Sequence, residues 1–228
     1  MRCLLVSIDK NKYPLNFLGV FPLDHYPFSS VLNEPSHLPH PMLSSTITSK
    51  RKAFFCIVNS DTSNKPGSHW LASFLDYSLS IPYLEFFDSY GFSPNIYKLP
   101  LPIDHPLFSY NHIQLQSNLS TVCGHYCLLF LYLRAIAFIS KPNQSPHENF
   151  HSVIKSLEGI ANTSAQRDKI LPHILRTLLS HGYVLKNNIS QFSNISIDPT
   201  YINESSLILN SNSNKQYCIA YNFNPAST

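Results

Sequence analysis

Four residues in the middle of the chain have the types and the order that a thiol hydrolase requires. His69 lies at a loop-to-strand boundary, Asp88 follows an apolar run, and Gln116 precedes Cys123 by seven residues. A cysteine nucleophile needs a base, a carboxylate that orients the base, and N–H donors for the oxyanion. We therefore predict Cys123 as the nucleophile, His69 as the base, Asp88 as its orienting partner and Gln116 as an oxyanion donor.

The position of Cys123 supports this interpretation. It precedes an apolar run with helical spacing, which predicts a thiol at the N-terminus of a buried helix, where free N–H groups favour the thiolate. A helix end contributes about 0.3–1 kcal/mol and lowers a thiol pKa by about one unit at most, so His69 must supply the rest. Considered alone, Cys123 is more typical of a small buried apolar residue and Asp88 of a turn residue. The four residues in this order favour catalysis.

The surrounding sequence predicts the elements that would position these residues. Apolar runs at 53–58, 69–75 and 83–87 predict strands, with a further short strand at 113–115 after an irregular, proline-rich segment. The second and third strands predict a hairpin that brings Asp88 toward His69, while Trp70 points to the opposite face and is buried. Apolar spacing predicts a central helix from Cys123, a helix around 150–157, and a helix from near Pro172 to near Gly182.

Composition predicts one globular domain with a tail. The chain has 228 residues, of which 43% are hydrophobic and 13% charged, enough to bury a continuous core. We assign residues 1–185 to a cysteine protease domain, with 1–49 as a proline-rich extended segment that wraps the core. Residues 186–228, rich in Asn and Ser, are predicted to be a loosely attached tail.

Several classes of protein are disfavoured. Residues 1–8 are too short and too polar at their ends for a secretory signal, which predicts an intracellular protein. The longest apolar stretch is interrupted by Arg134, so we predict no membrane span. The net charge of +3 is too diffuse to argue for nucleic-acid binding, and Lys50 to Lys52 reads as a solvated loop. Five scattered cysteines argue against a disulfide framework or a zinc ribbon, and we predict no metal and no cofactor.

The motifs resemble the adenovirus endopeptidase family of cysteine proteases and, more distantly, the SUMO-type deconjugating proteases of the same clan. The likeness covers roughly residues 14–180. Residues 16–21 look like the family's Phe-Leu-Gly segment, and 56–70 resemble its Ile-Val-Asn, Gly and His-Trp block. Residues 87–91 resemble the acidic segment, in which adenoviral members carry Glu and SUMO-type members carry Asp. The spacing from Gln116 to Cys123 matches the adenoviral one, and Val122 replaces the Asp of SUMO-type proteases, which favours the viral branch.

This resemblance implies an α+β, papain-like fold in which helices flank a central mixed sheet and the catalytic Cys begins a buried helix. It implies a thiol endopeptidase with the chain order His69, Asp88, Gln116, Cys123. The implied role is virion-protein maturation, encoded by a virus-like or Polinton/Maverick-type mobile element. The implied partners are a polypeptide substrate, such as a capsid precursor, and a peptide or DNA activator, although no residues here transfer either activator site.

Three alternatives remain open. The same residues could remove a ubiquitin-like modifier, which a modifier vinyl-sulfone probe would reveal by labelling Cys123. They could serve an acyltransferase, which would deliver the acyl group to an acceptor other than water. The chain could also be a non-catalytic domain derived from such an enzyme that binds protein or, through Lys50 to Lys52, nucleic acid. An unreactive Cys123 with salt-sensitive DNA binding would favour that reading.

Overall fold

The protein has an α+β fold in which one mixed sheet is covered by three helices. The computed structural model describes residues 15–29, 52–77, 82–99, 101 and 103–180. The chain divides into two compact units, Met1–Phe192 and Ser193–Thr228, and all described residues belong to the first. The strands are β1 (Leu15–Phe21), β2 (Ala53–Asn59), β3 (Trp70–Asp76), β4 (Tyr83–Phe87) and β5 (Phe108–Tyr110), and the helices are α1 (Cys123–Ser140), α2 (Pro146–Glu158) and α3 (Ser164–Ser180).

The sheet follows the chain order from β1 to β5. Its centre is antiparallel, because β3 pairs with both β2 and β4 in that sense, whereas β1 and β5 add in parallel at the two sides. The predicted β3–β4 hairpin is confirmed, with Asp76 opposite Tyr83 and Ala72 opposite Phe87. Continued beyond the strands, this register brings the residues before β3 close to the residues after β4. His69 directly precedes β3, and Asp88 directly follows β4.

Both faces of the sheet are apolar, as expected for strands that alternate between two buried layers. One face packs against the helices. The other is covered by irregular segments that include Tyr26, Phe28, Leu99 and Leu101. Each β3 side chain from Leu71 to Asp76 is buried, so the strand that follows His69 is held on both sides. This packing fixes the strand that directly follows His69 in the predicted site.

Helix α1 is the central helix. It contacts β3, α2 and α3, and the ring of Phe130 stacks on Phe87 of β4 with centroids 4.4 Å apart. Among the described residues it alone is long and apolar enough to span a membrane, yet 61% of it is buried inside the protein. Arg134 lies in its middle, fully buried and paired with carboxylates. These properties identify α1 as a core helix.

Two predicted elements are wrong. Residues 113–115 do not form a strand. The fifth strand lies earlier, at Phe108–Tyr110, and the N–H groups of Leu115 and Gln116 both donate to the carbonyl of Ser89. The chain therefore crosses the end of β4 instead of pairing along it.

The last helix starts at Ser164, eight residues before the predicted start, and contains Pro172. Proline removes the N–H that would bond four residues back, and its ring clashes with the carbonyl there, so it weakens or kinks a helix interior. Core packing on both sides of Pro172 opposes that cost. Leu171 and Leu175, on either side of Pro172, are buried in the core. The predicted end at Gly182 lies outside the described residues.

The predicted wrapping segment is partly described. Leu15–Phe21 is not draped over the core but forms β1, paired in parallel with β2. Tyr26 and Phe28 then cover one face of the sheet. Residues 1–14 and 30–49 lie outside the described residues, as does the tail predicted for 186–228, so these boundaries remain predictions.

Candidate active site

The hairpin places His69 and Asp88 in direct contact. His69 Nε2 lies 2.7 Å from Asp88 Oδ1, and the Asp88 side chain is fully buried while that of His69 is 11% exposed. The backbone of His69 is held by a hydrogen bond from the Ser60 N–H to its carbonyl, 2.8 Å long. A buried carboxylate bonded to one ring nitrogen fixes the tautomer and leaves Nδ1 available for another partner.

Asp88 is itself held by a network of donors. Its carboxylate accepts the Tyr97 hydroxyl at 2.6 Å and the N–H groups of Tyr90 and Phe92. The Asn111 side chain bonds both its backbone N–H and its carbonyl. Gly91 allows this tight turn because its φ is +74°, and a Cβ there would lie 2.8 Å from the backbone of Ile113. The turn from Asp88 to Gly91 thus holds the Asp88 carboxylate in a fixed position.

Cys123 begins α1, as predicted, and is 8% exposed. The preceding residue, Val122, provides no side-chain cap, so first-turn N–H groups remain available. The electrostatic environment of the thiol includes the side chain of His69 and the backbone of Trp70 and Gly124, all of which favour the thiolate. The sulfur therefore lies at the junction of the helix end and the hairpin.

These contacts shift both pKa values toward an ion pair. Burial acts against the charged form of each group, but it is outweighed in both. Hydrogen bonds from His69 and from the backbone lower the pKa of the Cys123 thiol. Asp88 and Cys123 raise the pKa of His69 to about 9. A thiolate beside an imidazolium is the combination that nucleophilic cysteine chemistry requires at neutral pH.

Gln116 is fully buried with its side chain fixed. Its Oε1 accepts the Ser89 hydroxyl at 2.7 Å, and its Nε2 donates to the Ser120 carbonyl at 2.8 Å. The second Nε2 hydrogen points to the Tyr90 hydroxyl over a longer distance, 3.3 Å. One amide hydrogen is therefore firmly bound, and the other is weakly bound on the side of Tyr90.

Tyr90 and Tyr97 belong to the site, although the sequence did not single them out. The rings of His69 and Tyr90 stack with centroids 4.7 Å apart, and Tyr97 lies 6.3 Å from His69 in a similar orientation. Aromatic faces beside an imidazole favour its protonated form. The strand register could have identified Tyr90, because Tyr90 lies opposite His69 when the β3–β4 pairing is continued beyond the strands.

Arg167 and Asp168 of α3 fix the loop that carries Gln116. Asp168 accepts the Ser117 N–H at 2.9 Å and the Tyr126 hydroxyl at 2.9 Å. Arg167 donates to the carbonyl of Leu115 at 3.1 Å. Both side chains are more than 90% buried. Residues on both sides of Gln116 are thus anchored to the helical layer.

The predicted burial of Trp70 is wrong. Trp70 is 36% exposed, because it is the first residue of β3 and lies at the end of the strand. Its ring partly covers the start of α1. A Cβ on Gly124 would lie 3.4 Å from Trp70 Cδ1, so glycine lets the indole approach the helix closely. The Trp70 carbonyl accepts the Cys127 thiol at 3.2 Å. Trp70 therefore links β3 to α1 beside Cys123.

Other candidate chemistry is absent from this region. Within the described residues, no group of three or more His, Cys, Asp or Glu side chains converges to hold a metal ion. Cys56, Cys123 and Cys127 are all free thiols. Burial raises the pKa of Cys56 and of Cys127 well above the ordinary thiol value. Of the three, only Cys123 has an environment that favours the thiolate.

Comparison with known proteins gives limited information. No protein-family model matches the chain, and no curated protein matches it. Two crystal structures of the ASFV pS273R protease are similar. One aligns at 19% identity over 75% of this chain and 62% of its own, with a TM-score of 0.36, and the selenomethionine form aligns at 25% identity over 53% and 43%, with a TM-score of 0.31. The chain therefore spans less than two thirds of either structure, and the chemical interpretation depends on the geometry of the site itself.

Proposed function

We propose that the chain is a cysteine endopeptidase with Cys123 as nucleophile, His69 as general base and acid, and Asp88 as the residue that orients His69. One observation carries the proposal: a thiol at a helix N-terminus lies beside an imidazole whose Nε2 is 2.7 Å from a buried carboxylate. Structural ion pairs also perturb pKa values, but they do not require a nucleophile at an uncapped helix end.

In the proposed reaction, the Cys123 thiolate attacks the carbonyl carbon of a peptide bond and forms a tetrahedral intermediate. The His69 imidazolium gives its proton to the leaving amine as the C–N bond breaks, which leaves an acyl-enzyme. His69 then removes a proton from water, which attacks the thioester and releases the acid product. Asp88 keeps its negative charge throughout and stabilises the imidazolium.

The oxyanion would be held by the Cys123 backbone N–H and by the Nε2 of Gln116. The bonds from Ser89 and to Ser120 already fix the orientation of the amide, so it needs no rearrangement when charge develops. Donors fixed before the reaction stabilise the transition state most effectively. The weakly held second hydrogen of Nε2 is the one available for this purpose.

The substrate class rests on the sequence resemblance. The motifs shared with the adenovirus endopeptidase family favour a polypeptide substrate such as a capsid or other virion precursor, processed inside the cell or the virion. A peptide or DNA activator is part of the same expectation. The antiparallel core of the sheet and the uncapped start of α1 support a papain-like arrangement of the site.

Replacement of Cys123 by Ala tests the chemistry. We expect hydrolysis of an unbiased peptide library to fall by at least about 10⁴-fold, since loss of a nucleophile removes nearly all covalent catalysis. Cys127→Ala is the matched control, because Cys127 lies one turn further along the same helix with a pKa raised well above the ordinary value. It should retain turnover. Normal hydrolysis by Cys123→Ala, with the fold intact by circular dichroism, would refute the proposal.

A second measurement addresses the substrate. The active chain is incubated with fluorogenic peptides from virion precursor sequences and, separately, with a ubiquitin-like modifier vinyl sulfone. Cleavage of the peptides without labelling by the modifier supports endopeptidase activity. Rapid labelling of Cys123 by the modifier, with the peptides ignored, would replace it with the deconjugating activity.

A further inference from the structure

A histidine pair lies on α2, away from the proposed catalytic residues. The sequence His147-Glu148-Asn149-Phe150-His151 places two histidines four residues apart on a helix. Residues with this spacing lie on the same helical face, one turn apart. Both side chains are solvent-exposed, and they line a surface depression of about 630 Å³ together with Ser152 and Lys155. The reaction proposed above uses neither of them.

The two rings converge on a single point. His147 Nε2 and His151 Nε2 are 3.0 Å apart. Two nitrogen ligands about 2.05 Å from one metal ion lie about 2.9 Å apart at a right angle and about 3.3 Å apart at the tetrahedral angle. The observed separation falls between these values. The separation is therefore compatible with both nitrogens binding one metal ion, which would lie to one side of the line between them after the rings rotate.

The charge state of the pair also suits a metal. One ring must be neutral to accept the hydrogen bond of the other. A neutral imidazole needs no proton removed before it binds a metal.

The helix that carries the pair is rigid at this end. Ser145 caps α2, with Pro146 in its first turn, and its hydroxyl accepts the Glu148 N–H while the Glu148 carboxylate accepts the Ser145 N–H. Asn149 and Phe150, between the two histidines, are buried against the core. The capped helix therefore fixes the backbone positions of the two histidines, which reduces part of the ordering cost of binding.

We propose that His147 and His151 form a binding site for a borderline divalent transition-metal ion such as Zn²⁺, with the remaining coordination positions open to solvent or to a ligand from another molecule. Imidazole nitrogens suit these ions. The motif His-Glu-x-x-His also occurs in zinc hydrolases, where the glutamate acts as general base. Here the Glu148 carboxylate is bound to Ser145, so the site binds metal without forming a second hydrolytic centre.

The test is a zinc titration of the untagged full chain carrying Cys123→Ala, which removes the competing thiol beside His69. Isothermal calorimetry should show zinc binding that weakens below about pH 6 as the histidines become protonated. His147→Ala and His151→Ala should each reduce the affinity by at least about 10-fold, the scale on which even outer-shell changes act. His173→Ala, which removes a lone exposed histidine of α3, is the control and should leave the affinity unchanged.

Glu148→Gln separates this site from a hydrolytic one. Glutamine can still accept the Ser145 N–H and keep the cap, so zinc affinity should be unchanged. The inference is overturned if the chain binds no zinc, if His147→Ala binds zinc as tightly as its parent, or if Glu148→Gln loses as much affinity as the histidine variants. Circular dichroism of each variant checks that α2 is intact.

Discussion

Among the described residues, two buried pairs of cation and carboxylate lie on or next to β3, β4 and α1. At one end of α1, Cys123 lies beside the His69–Asp88 pair. Eleven residues further along, about three turns and 16 Å, Arg134 binds Glu85 at 2.6 and 2.7 Å and contacts Asp76 at 3.4 Å. Glu85 lies in β4, and Asp88 directly follows it. The difference between them shows what turns a buried charge pair into a reactive site.

The Arg134 pair is sealed. Arg134 and Glu85 are fully buried and Asp76 is 1% exposed, and the guanidinium lies 4.5 Å above the Phe74 ring. Burial disfavours its charge, but Glu85 and Asp76 outweigh that effect and raise its pKa. Arginine keeps its proton in proteins. Burial raises the pKa of Glu85 to about 7, although Arg134 opposes that shift. Because both side chains are sealed from solvent, the pair holds β3, β4 and α1 together without exchanging a proton with a substrate.

The His69 pair differs in its cation and in its access. Its imidazole can gain or lose a proton near neutral pH, its second nitrogen faces a thiol, and part of its ring reaches solvent. Close contact and burial are shared by both pairs and therefore do not identify a catalytic site. A titratable cation, a nucleophile beside it and partial exposure distinguish the His69 pair.

The largest effect expected at the sealed pair is on stability. Arg134→Met leaves Glu85 buried without the Arg134 cation, and breaking a buried pair in this way costs about 3–5 kcal/mol. Urea unfolding followed by fluorescence measures the loss. The turnover number of the folded fraction should change little, because Arg134 does not contact the proposed site.

The double variant Arg134→Met/Glu85→Gln checks the cause, since it removes the cation and one uncompensated charge together and should recover part of the lost stability. The structural role assigned to the sealed pair would be wrong if Arg134→Met were as stable as the parent. The same holds if its turnover fell by orders of magnitude without a loss of stability.

The partly exposed His69–Asp88 pair is the open pair. Beside it, the next largest effect comes from Gln116. Gln116→Ala removes one oxyanion donor and should lower kcat by about 10²–10³-fold, while KM changes less, because the interaction strengthens only in the transition state. Steady-state kinetics on a peptide that the parent cleaves provides the measurement. Gln166→Ala, at an exposed glutamine of α3, is the control. An unchanged kcat would remove Gln116 from the oxyanion site.

The two pairs also differ in their response to pH. The raised pKa of His69 means that its imidazolium is fully present below the ordinary value near 6.5 and is lost as pH rises through about 9. The lowered pKa of Cys123 means that its thiolate persists below the ordinary thiol value. The profile of kcat/KM should therefore have an alkaline limb near pH 9 and an acid limb below the ordinary thiol pKa.

Iodoacetamide labelling with peptide mapping gives an independent readout of that acid limb. Cys123 should be alkylated at neutral pH, whereas Cys56 and Cys127 should remain unlabelled in the folded chain. Equal labelling of Cys123 and Cys127, or an alkaline limb near the ordinary histidine value, would contradict the ion pair.

The strands and the central helix were predictable from the sequence because their residues are mostly apolar and their periods are clear. The hairpin then followed from the turn, and with it the approach of Asp88 to His69. The start of α3 was missed for a physical reason. Its first core-facing residues are Arg167 and Asp168, buried with partners on other elements, so the apolar pattern begins only at Leu171.

The neighbours of the site were missed for a different reason. Tyr90 and Tyr97 are contacts across elements, and no local period marks them. The His147–His151 pair has a visible spacing, but the distance between its nitrogens depends on side-chain rotamers. Sequence spacing identified which residues share a face, and the coordinates were needed to show which atoms meet.

The smallest effect separates two roles of Tyr90 within the open pair. Its ring stacks on His69, and its hydroxyl accepts the long hydrogen bond from Gln116. Because Ser89 and Ser120 already orient the amide, the hydroxyl should be dispensable, and Tyr90→Phe should change kcat/KM by less than about 5-fold, within the range of one weak neutral hydrogen bond. Tyr90→Ala also removes the stacked ring and exposes the imidazole to water. Because burial lowers the pKa of His69, the alkaline limb of the pH profile should move to higher pH. If Tyr90→Phe instead lowered kcat/KM as much as Gln116→Ala, the phenol hydroxyl would be an oxyanion donor. The role of Tyr90 would then not be limited to stacking on His69.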